Sequence, residues 1–236
     1  MVNRNPNSEL VQSVVKAPDT VQVPEKLIDQ ARQFQQIMMM YSCAIREVKT
    51  KLEVLNDELS VRNQRNPIEM IKSRVKKPAS IVEKLQRKGF EVTLDSMMRN
   101  LDDIAGVRVI CSFLDDIYQV ADMLARQDDV DVIEVKDYIE SPKDNGYRSY
   151  HMIVEVPVFF SDAKRKIRVE VQIRTIAMDF WASLDHQLKY KKAVIDDDGT
   201  ISHELKECAD VIADTDEKML RIRKRIEAQG VKVSRD

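Results

Sequence analysis

Charged and polar side chains alternate with apolar ones along residues 167–175, which read IRVEVQIRT. Strict alternation over this length predicts a half-buried strand with one charged face, and that face carries Arg168, Glu170, Gln172 and Arg174. A carboxylate beside guanidinium groups on one sheet face suits a phosphorylated ligand, because arginine binds phosphate oxygens through paired hydrogen bonds. The same alternation is typical of any antiparallel strand with one solvated side, so the neighbouring segments must distinguish these two interpretations.

A cluster of basic residues lies between Lys72 and Lys88, where seven lysines and arginines accompany a single acid, Glu83. At an effective dielectric constant near 20, two unit charges about 4 Å apart interact by roughly 4 kcal/mol. A local cluster therefore affects an anionic ligand more than the small net charge of -2 does. The cluster indicates an electrostatic anchor for such a ligand, the alternative being a solvated helix face.

The composition indicates a soluble globular protein. The 236 residues can bury one sizeable core, 33% of them are charged, and no apolar run approaches the roughly 18 residues that a membrane span needs. The amino terminus shows no signal-peptide pattern. Cys43, Cys111 and Cys208 are too scattered for a disulfide framework or a zinc site and are expected to be reduced, mostly buried thiols. We therefore expect a cytoplasmic protein without membrane contact.

Four segments can be distinguished along the chain. Residues 1–23 lack periodicity and predict a disordered tail, whereas residues 24–66 predict a helical region. Residues 67–195 alternate short strands with helices and form the predicted catalytic core. Residues 196–236 predict a C-terminal helix with apolar residues every seven positions, which favours pairing with another helix. The partner is either the long amino-terminal helix or another subunit, so the last segment is a candidate oligomerisation element.

The central segment predicts a mixed five-stranded sheet. Strands are expected near residues 68–74, 105–112, 130–138, 147–156 and 167–173, and helices near 79–88, 114–127 and 175–190. The last two strands are expected to form a hairpin. The helix that follows them is expected to turn Phe180, Trp181, Leu184 and Leu188 inwards. The predicted fold class is α+β, with helices flanking the sheet and long helices at both ends of the chain.

Two of the five glycines lie inside short polar motifs, Gly106 after Asp103 and Gly146 before Tyr147. Glycine permits close backbone approach or a positive φ angle. Five motifs follow one another in order: 74–76 (RVK) with 80–84 (SIVEK), 103–108 (DIAGVR), 146–151 (GYRSYH), 170–175 (EVQIRT) and 180–186 (FWASLDH). Together they resemble the synthetase domain of the RelA/SpoT family, and especially its short members, the small alarmone synthetases. The resemblance covers roughly residues 41–190.

This resemblance implies a sheet of the nucleotidyltransferase-like type and the family's reaction. In that reaction a pyrophosphate group passes from ATP to the ribose 3′ hydroxyl of GTP or GDP, giving the alarmone pppGpp or ppGpp and AMP. Pyrophosphoryl transfer asks a protein mainly to align the reacting groups and to offset charge with Mg2+ and cationic side chains. The long family members also carry a hydrolase domain, for which 236 residues leave no room, so we expect synthesis without hydrolysis.

Individual residues acquire implied roles from the same resemblance. Asp103 and Glu170 are the implied catalytic residues and Mg2+ ligands, and Glu170 is the candidate to accept the ribose proton. Asp102 is expected to point elsewhere, and His186 to cap or pack. The implied ATP-binding residues are Arg74, Lys76, Ser80, Lys84, Arg87 and Arg108. The implied GTP- or GDP-binding residues are Lys143, Tyr147, Arg148, His151, Gln172 and Arg174, of which the tyrosine is expected to stack on guanine.

The resemblance further implies a homotetramer assembled through the terminal helices. In some relatives a cleft between subunits binds the (p)ppGpp product and activates synthesis. Asp179 stands where those relatives often have asparagine, which argues against activation by product here. Single-stranded RNA is another candidate regulatory ligand.

Two rival functions stay open at this point. A nucleotidyltransferase would release free pyrophosphate rather than AMP, but the usual Gly-Ser turn and Asp-x-Asp pair do not precede Asp103. A non-catalytic sensor would bind nucleotide or single-stranded RNA through the basic cluster between Lys72 and Lys88. Such a sensor would tolerate the loss of Asp103 and Glu170, whereas its binding would weaken with salt.

Overall fold

The computed structural model describes residues 25–63, 65–195 and 199–229. The chain divides into two compact units, Met1–Gln36 and Ile37–Asp236. The predicted disordered tail at residues 1–23 lies outside the described residues. Within the described ranges, no helix is both long enough and apolar enough to cross a membrane.

Helices and strands follow one another in the predicted order. They are α1 (Glu25–Asn63), β1 (Ile68–Val75), α2 (Pro78–Arg87), α3 (Leu94–Asn100), β2 (Ala105–Cys111), α4 (Leu114–Ala125), β3 (Asp131–Asp137), β4 (Tyr150–Phe159), β5 (Lys164–Thr175), α5 (Ile176–Ile195) and α6 (Thr200–Ala228). The sequence did not predict α3, a helix of only seven residues. Its signal is local: the Thr93 hydroxyl caps the helix by accepting a hydrogen bond from the Ser96 amide.

The five strands form one mixed sheet in the order β1-β2-β5-β4-β3, which confirms the predicted α+β class. β2 and β5 are parallel, and the other neighbouring pairs are antiparallel. β4 and β5 form the predicted hairpin. Because β1 and β2 flank β5 on one side and β4 flanks it on the other, residues from four strands can meet above the centre of the sheet.

Strand periodicity separates an apolar face from a polar one. Val154, Val169 and Val171 are completely buried and share one face, since successive side chains alternate across a strand. Helix α4 contacts β2 and β5 and buries Ile117 and Leu124. The opposite face of the sheet is therefore left to the polar residues of the motifs.

The predicted environments of the last two helices need correction. In α5, Trp181 is buried and its indole N–H donates a hydrogen bond of 2.8 Å to the Leu205 carbonyl oxygen. Phe180, Leu184 and Leu188, however, are exposed, because α6 covers only the Trp181 side of α5. The prediction that all four residues face inwards was therefore wrong for three of them.

Within the described part of the chain, α6 does not pair with the amino-terminal helix, which was one of its two expected partners. Among the described residues, α6 packs on α5 and α4 rather than on α1. The buried residues of α6 also recur every seven positions, but they are Ala209, Asp216 and Arg223 and not the apolar residues on which the prediction rested. Met219 and Ile222 are exposed, so an apolar stripe of α6 has no partner within the described chain.

All three cysteines are free, as predicted. Cys111 is buried and Cys43 is half-buried, but Cys208 is exposed on α6. The expectation of mostly buried thiols is therefore wrong for Cys208.

Candidate active site

Two rows of polar side chains cross the sheet at its centre. Strand register aligns Lys72 of β1 with Arg108 of β2, Gln172 of β5 and His151 of β4. Two residues further along β1, in the next row on the same face, Arg74 aligns with Gly106 of β2 and Glu170 of β5. The motifs that the sequence separates by up to about a hundred residues therefore lie side by side on one sheet face.

Gly106 leaves a gap in the second of these rows. A Cβ atom there would meet little, the nearest atom being the Arg74 carbonyl oxygen at 3.7 Å. An open hollow of about 180 Å³ lies over this position, lined by residues that include Arg74, Asp103, Arg108, Glu170 and Gln172. The glycine thus provides space between a cationic side chain on one side and a carboxylate on the other.

The carboxylate of Asp103 is held by two lysines. Its Oδ2 atom lies 3.0 Å from Lys76 Nζ and 2.6 Å from Lys84 Nζ. Burial alone would raise the pKa of Asp103, but the hydrogen bonds from Lys84 and Lys76 outweigh it and hold the pKa below its usual value. The other oxygen, Oδ1, is buried and has no hydrogen-bond partner among the residues that the structure describes. One oxygen of an ionised carboxylate is therefore free to bind a ligand.

Glu170 lies in the same hollow with a different set of partners. Its Oε2 atom accepts a 2.8 Å hydrogen bond from Gln172 Nε2, and its Oε1 atom lies 3.5 Å from His151 Nδ1. Burial favours the neutral acid. The hydrogen bond and electrostatic attraction of His151, together with the hydrogen bond from Gln172, outweigh this effect and leave the pKa of Glu170 below its usual value. Glu170 is therefore ionised at neutral pH and held in one orientation.

The two carboxylates fit a magnesium ion better than a transition metal. Mg2+ binds few protein oxygens and completes its shell with phosphate oxygens and water. Asp103 and Glu170 line one hollow, and the unpartnered Oδ1 of Asp103 is suitable for a cation. Within the described residues, no group of three or more His, Cys, Asp or Glu side chains could hold a metal alone. Asp102 points away, as predicted, and pairs with Arg168 at 2.8 Å.

Four of the six implied ATP-binding residues lie at the hollow. Arg74 and Arg108 line it directly, and Lys76 and Lys84 reach it through Asp103. Ser80 lies in the first turn of α2 and Arg87 in the last turn, where its side chain is exposed. These two residues do not line the hollow.

The implied acceptor residues form a network around Tyr147. Its hydroxyl lies 2.9 Å from His151 Nε2 and accepts a 2.5 Å hydrogen bond from Arg174 Nη2. Lys143 Nζ lies 4.9 Å from the centroid of the Tyr147 ring and 4.5 Å from that of Tyr138. Tyr138, which sequence reasoning missed, also makes edge contacts with Tyr147 and His151. Its position just after β3 was its only sequence signal.

Arg148 differs from the other acceptor candidates. Its Nη1 atom donates a 3.4 Å hydrogen bond to the Ala209 carbonyl oxygen, and its Nη2 atom lies 3.6 Å from Asp210. Both partners belong to α6. The side chain therefore docks the segment 143–148, which we call the acceptor loop, on the C-terminal helix. His186, in turn, is exposed on α5, and its expected capping role stays a prediction.

A sheet face that brings two carboxylates and several guanidinium groups to one hollow is suited to transfer of a phosphoryl-type group. Comparison with known proteins identifies the class. A family model described as "Region found in RelA / SpoT proteins" matches residues 73–194. That range begins in β1, ends in α5 and includes every residue that lines the hollow except Lys72. The chain belongs to the RelA/SpoT family.

Within this family the chain is similar to the small alarmone synthetases. GTP pyrophosphokinase YwaC of Bacillus subtilis is 46% identical over 192 residues, which cover 80% of this chain and 90% of the relative. The crystal structure of small alarmone synthetase 2 from B. subtilis matches with a TM-score of 0.72 at 44% identity and covers 81% of this chain and 98% of its own. Small alarmone synthetase 1 from B. subtilis, bound to its product pppGpp, matches with a TM-score of 0.74 at 35% identity, covering 83% and 99%.

Proposed function

We propose that this protein is a (p)ppGpp synthetase that transfers the pyrophosphate group of ATP to the ribose 3′ hydroxyl of GTP or GDP and releases AMP. The observation that carries the proposal is the convergence of Asp103 and Glu170 on one hollow bordered by Arg74 and Arg108. Family membership supports the same reaction, because a relative that aligns with 80% of the chain is a GTP pyrophosphokinase. This activity makes the enzyme a source of the alarmone that signals the stringent response.

Asp103 and Glu170 would hold a magnesium ion, which when bound offsets phosphate charge and orients the donor. The free Oδ1 of Asp103 supports this assignment. Lys76 and Lys84 lie at the other oxygen of Asp103, within reach of the phosphates of a donor in the hollow. Arg74 and Arg108 would bind ATP through phosphate contacts and stacking, tasks that suit a planar and permanently charged guanidinium.

Glu170 orients the attacking ribose hydroxyl. Because its pKa is lowered, the carboxylate is ionised and can accept a hydrogen bond from the hydroxyl proton. A carboxylate of low pKa is a weak base for an alcohol, so alignment contributes more than proton affinity. Gln172 and His151 hold the carboxylate in place from two sides, and the guanine base would stack on Tyr147.

The proposal predicts that Glu170→Gln keeps the fold but loses turnover by at least a hundredfold. The amide preserves size and polarity but cannot carry the charge that the hydroxyl proton and the cation require. Wild type and variant would be incubated with Mg2+, labelled ATP and either GTP or GDP, and the products separated by chromatography. Glu134→Gln on the edge strand β3, an exposed carboxylate, is the matched control. Near-normal product formation by Glu170→Gln would refute the role of Glu170.

The same products distinguish the rival functions. AMP together with a pyrophosphorylated guanine nucleotide supports the synthetase, whereas free pyrophosphate would indicate a nucleotidyltransferase. A sensor would form neither product and would bind RNA or nucleotide with strong salt dependence. Equal turnover with GDP and GTP would leave both as physiological acceptors.

We extend the proposal to a cytoplasmic homotetramer assembled through the terminal helices. Next to the C-terminal helix, α5 offers a further contact surface, because apolar residues at every fourth position are exposed; they are Ile176, Phe180, Leu184 and Leu188. The unpartnered stripe of α6 around Met219 and Ile222 supports the assembly as well. Light scattering at micromolar concentration tests the assembly, and a monomeric mass would overturn it. Adding pppGpp or single-stranded RNA to the turnover assay tests both candidate regulators.

A further inference from the structure

Asp179 in the first turn of α5 lies where three strands of the site converge. Its carboxylate is buried, with 8% of the residue exposed. The Oδ1 atom lies 3.1 Å from Arg108 Nη1 and 3.2 Å from Arg174 Nη1, and the Oδ2 atom lies 3.3 Å from Lys72 Nζ. One carboxylate therefore contacts cations of β1, β2 and β5 at once.

Arg174 carries this contact into the acceptor side of the site. Its side chain is almost completely buried, and its other nitrogens donate to Ser149 Oγ at 3.2 Å and Tyr147 OH at 2.5 Å. It also donates to Gln172 Oε1 at 3.1 Å. The guanidinium is thus fixed on every side, and Asp179 is its carboxylate partner.

Gln172 connects the two arginines to the catalytic carboxylate of Glu170. Arg174 and Arg108 both approach Gln172 Oε1, at 3.1 and 3.5 Å. Because the oxygen of the amide faces these two donors, its nitrogen faces Glu170 and donates a 2.8 Å hydrogen bond. The orientation of Glu170 therefore depends on two guanidinium groups staying in place.

Those two guanidinium groups repel each other, because they contact the same oxygen atom from neighbouring strands. In a partly buried site, like charges at such a distance separate unless an anion lies between them. Asp179 is that anion, and its place in the first turn of a helix also favours a negative charge.

We propose that Asp179 is a positioning residue that holds Arg108 and Arg174 together and thereby sets the orientation of Gln172, Glu170 and Tyr147. The proposal rests on the synthetase function, since it assigns Glu170 and Tyr147 their roles in turnover. Asp179 itself is not among the residues that line the hollow. Its loss changes the alignment of the reacting groups rather than the binding charge of the hollow.

The test is Asp179→Asn, which keeps the shape of the side chain and removes its charge. Asp185→Asn, six residues further along α5, is the control. We expect kcat at saturating ATP and GDP to fall at least tenfold, and KM for GDP to rise more than KM for ATP, with thermal unfolding close to wild type. The control should stay within twofold of wild type. If Asp179 had only a structural role, the substitution would lower the unfolding temperature, and KM for GDP would not rise more than KM for ATP.

A double-mutant cycle identifies the route of the effect. If Asp179 acts through Arg174, adding Asp179→Asn to Arg174→Gln should change kcat less than twofold. A kcat for Asp179→Asn within twofold of wild type, or an undiminished effect in the Arg174→Gln background, would overturn the proposal.

An error in the proposed function can be distinguished from an error in this proposal, because the wild type itself would then form no alarmone. In that case the affinity for a fluorescent GDP analogue is the readout. Displacement of Arg174 from Tyr147 should weaken this binding at least fivefold in Asp179→Asn but not in Asp185→Asn. Unchanged affinity would overturn the positioning role without reference to turnover.

Discussion

Replacing Gly146 by alanine should displace the acceptor loop from the C-terminal helix. Gly146 has a φ angle of +84°, and a Cβ atom there would lie 2.6 Å from the Cβ of Ala209. The left-handed backbone conformation costs an L-residue roughly 1–2 kcal/mol. Forcing a methyl group into a packed contact adds roughly 1–3 kcal/mol. The variant should therefore lose about 2–5 kcal/mol of unfolding free energy, or move the loop to avoid part of that loss.

Gly89 provides the matched control for this substitution. Its φ angle is +74°, but a Cβ atom there would meet nothing within 4 Å. Gly89→Ala should therefore cost only the backbone contribution of roughly 1–2 kcal/mol. For a chain of this size about 1 kcal/mol corresponds to roughly 2–4 °C in unfolding temperature, so calorimetry can resolve the two variants. The difference between them measures the contact with α6 alone.

Kinetics and a second substitution complete the test. Because the acceptor loop contains Lys143 and Tyr147, we expect Gly146→Ala to raise KM for GDP several-fold and to leave KM for ATP nearly unchanged. Ala209→Gly alone should cost about 1 kcal/mol as a helix-interior glycine, yet it should cost less, or nothing, when added to Gly146→Ala. If Gly146→Ala proves no more destabilising than Gly89→Ala and leaves KM for GDP unaltered, the loop does not depend on α6.

Two further substitutions probe the buried charges that α4 and α6 contribute. Asp116 is completely buried and pairs with Arg65 through both oxygens. Asp116→Asn should therefore lower the unfolding free energy measured in urea by about 3 kcal/mol. Asp122→Asn, which removes the carboxylate of an exposed ion pair, is the control, and an equally small loss in both variants would contradict the prediction. Burial raises the pKa of Asp216 despite its hydrogen bond from Thr175. A raised pKa in the folded state contributes stability at acid pH that is lost as pH rises through it. Asp216→Asn should therefore unfold at a higher temperature than wild type at pH 7.5, with a smaller gain near pH 4, and a lower unfolding temperature at pH 7.5 would refute the sign.

Local periodicity was sufficient to predict the sheet. Alternation placed Val169, Val171 and Ile173 on one face and Glu170 and Gln172 on the other, and the structure has them so. The strand order could not be read from that pattern, because neighbours such as β2 and β5 are separated by more than fifty residues. The motifs indicated that these strands meet, since each supplied part of one chemical task.

Helix environments were predicted less well for a physical reason. An apolar stripe shows that a helix buries one face but does not show against which partner. On α5 and α6 the apolar residues outnumber the positions that this chain covers, so Phe180 and Met219 are exposed. The short helix α3 escaped prediction because seven residues hold fewer than two full turns of periodicity.

Polar contacts across the site could not be predicted from spacing at all. Lys72 and Asp179 are 107 residues apart in the sequence, and their contact depends on β1 lying two strands from the start of α5. Asp179 attracted notice in the sequence only as a substitution for asparagine, yet the fold makes it the common partner of Arg108 and Arg174.

Two different features of the fold therefore hold the residues of the site in place. Strand register fixes the row from Lys72 to His151, because hydrogen bonds between strands leave little freedom along the sheet. The acceptor loop lies beyond the strands and depends on α6, through Gly146 and Arg148. On another side, the same helix carries an apolar stripe that no other part of the described chain covers. An assembly that covered this stripe would restrain α6 and, through it, the loop that receives the guanine nucleotide, so assembly and acceptor affinity should change together.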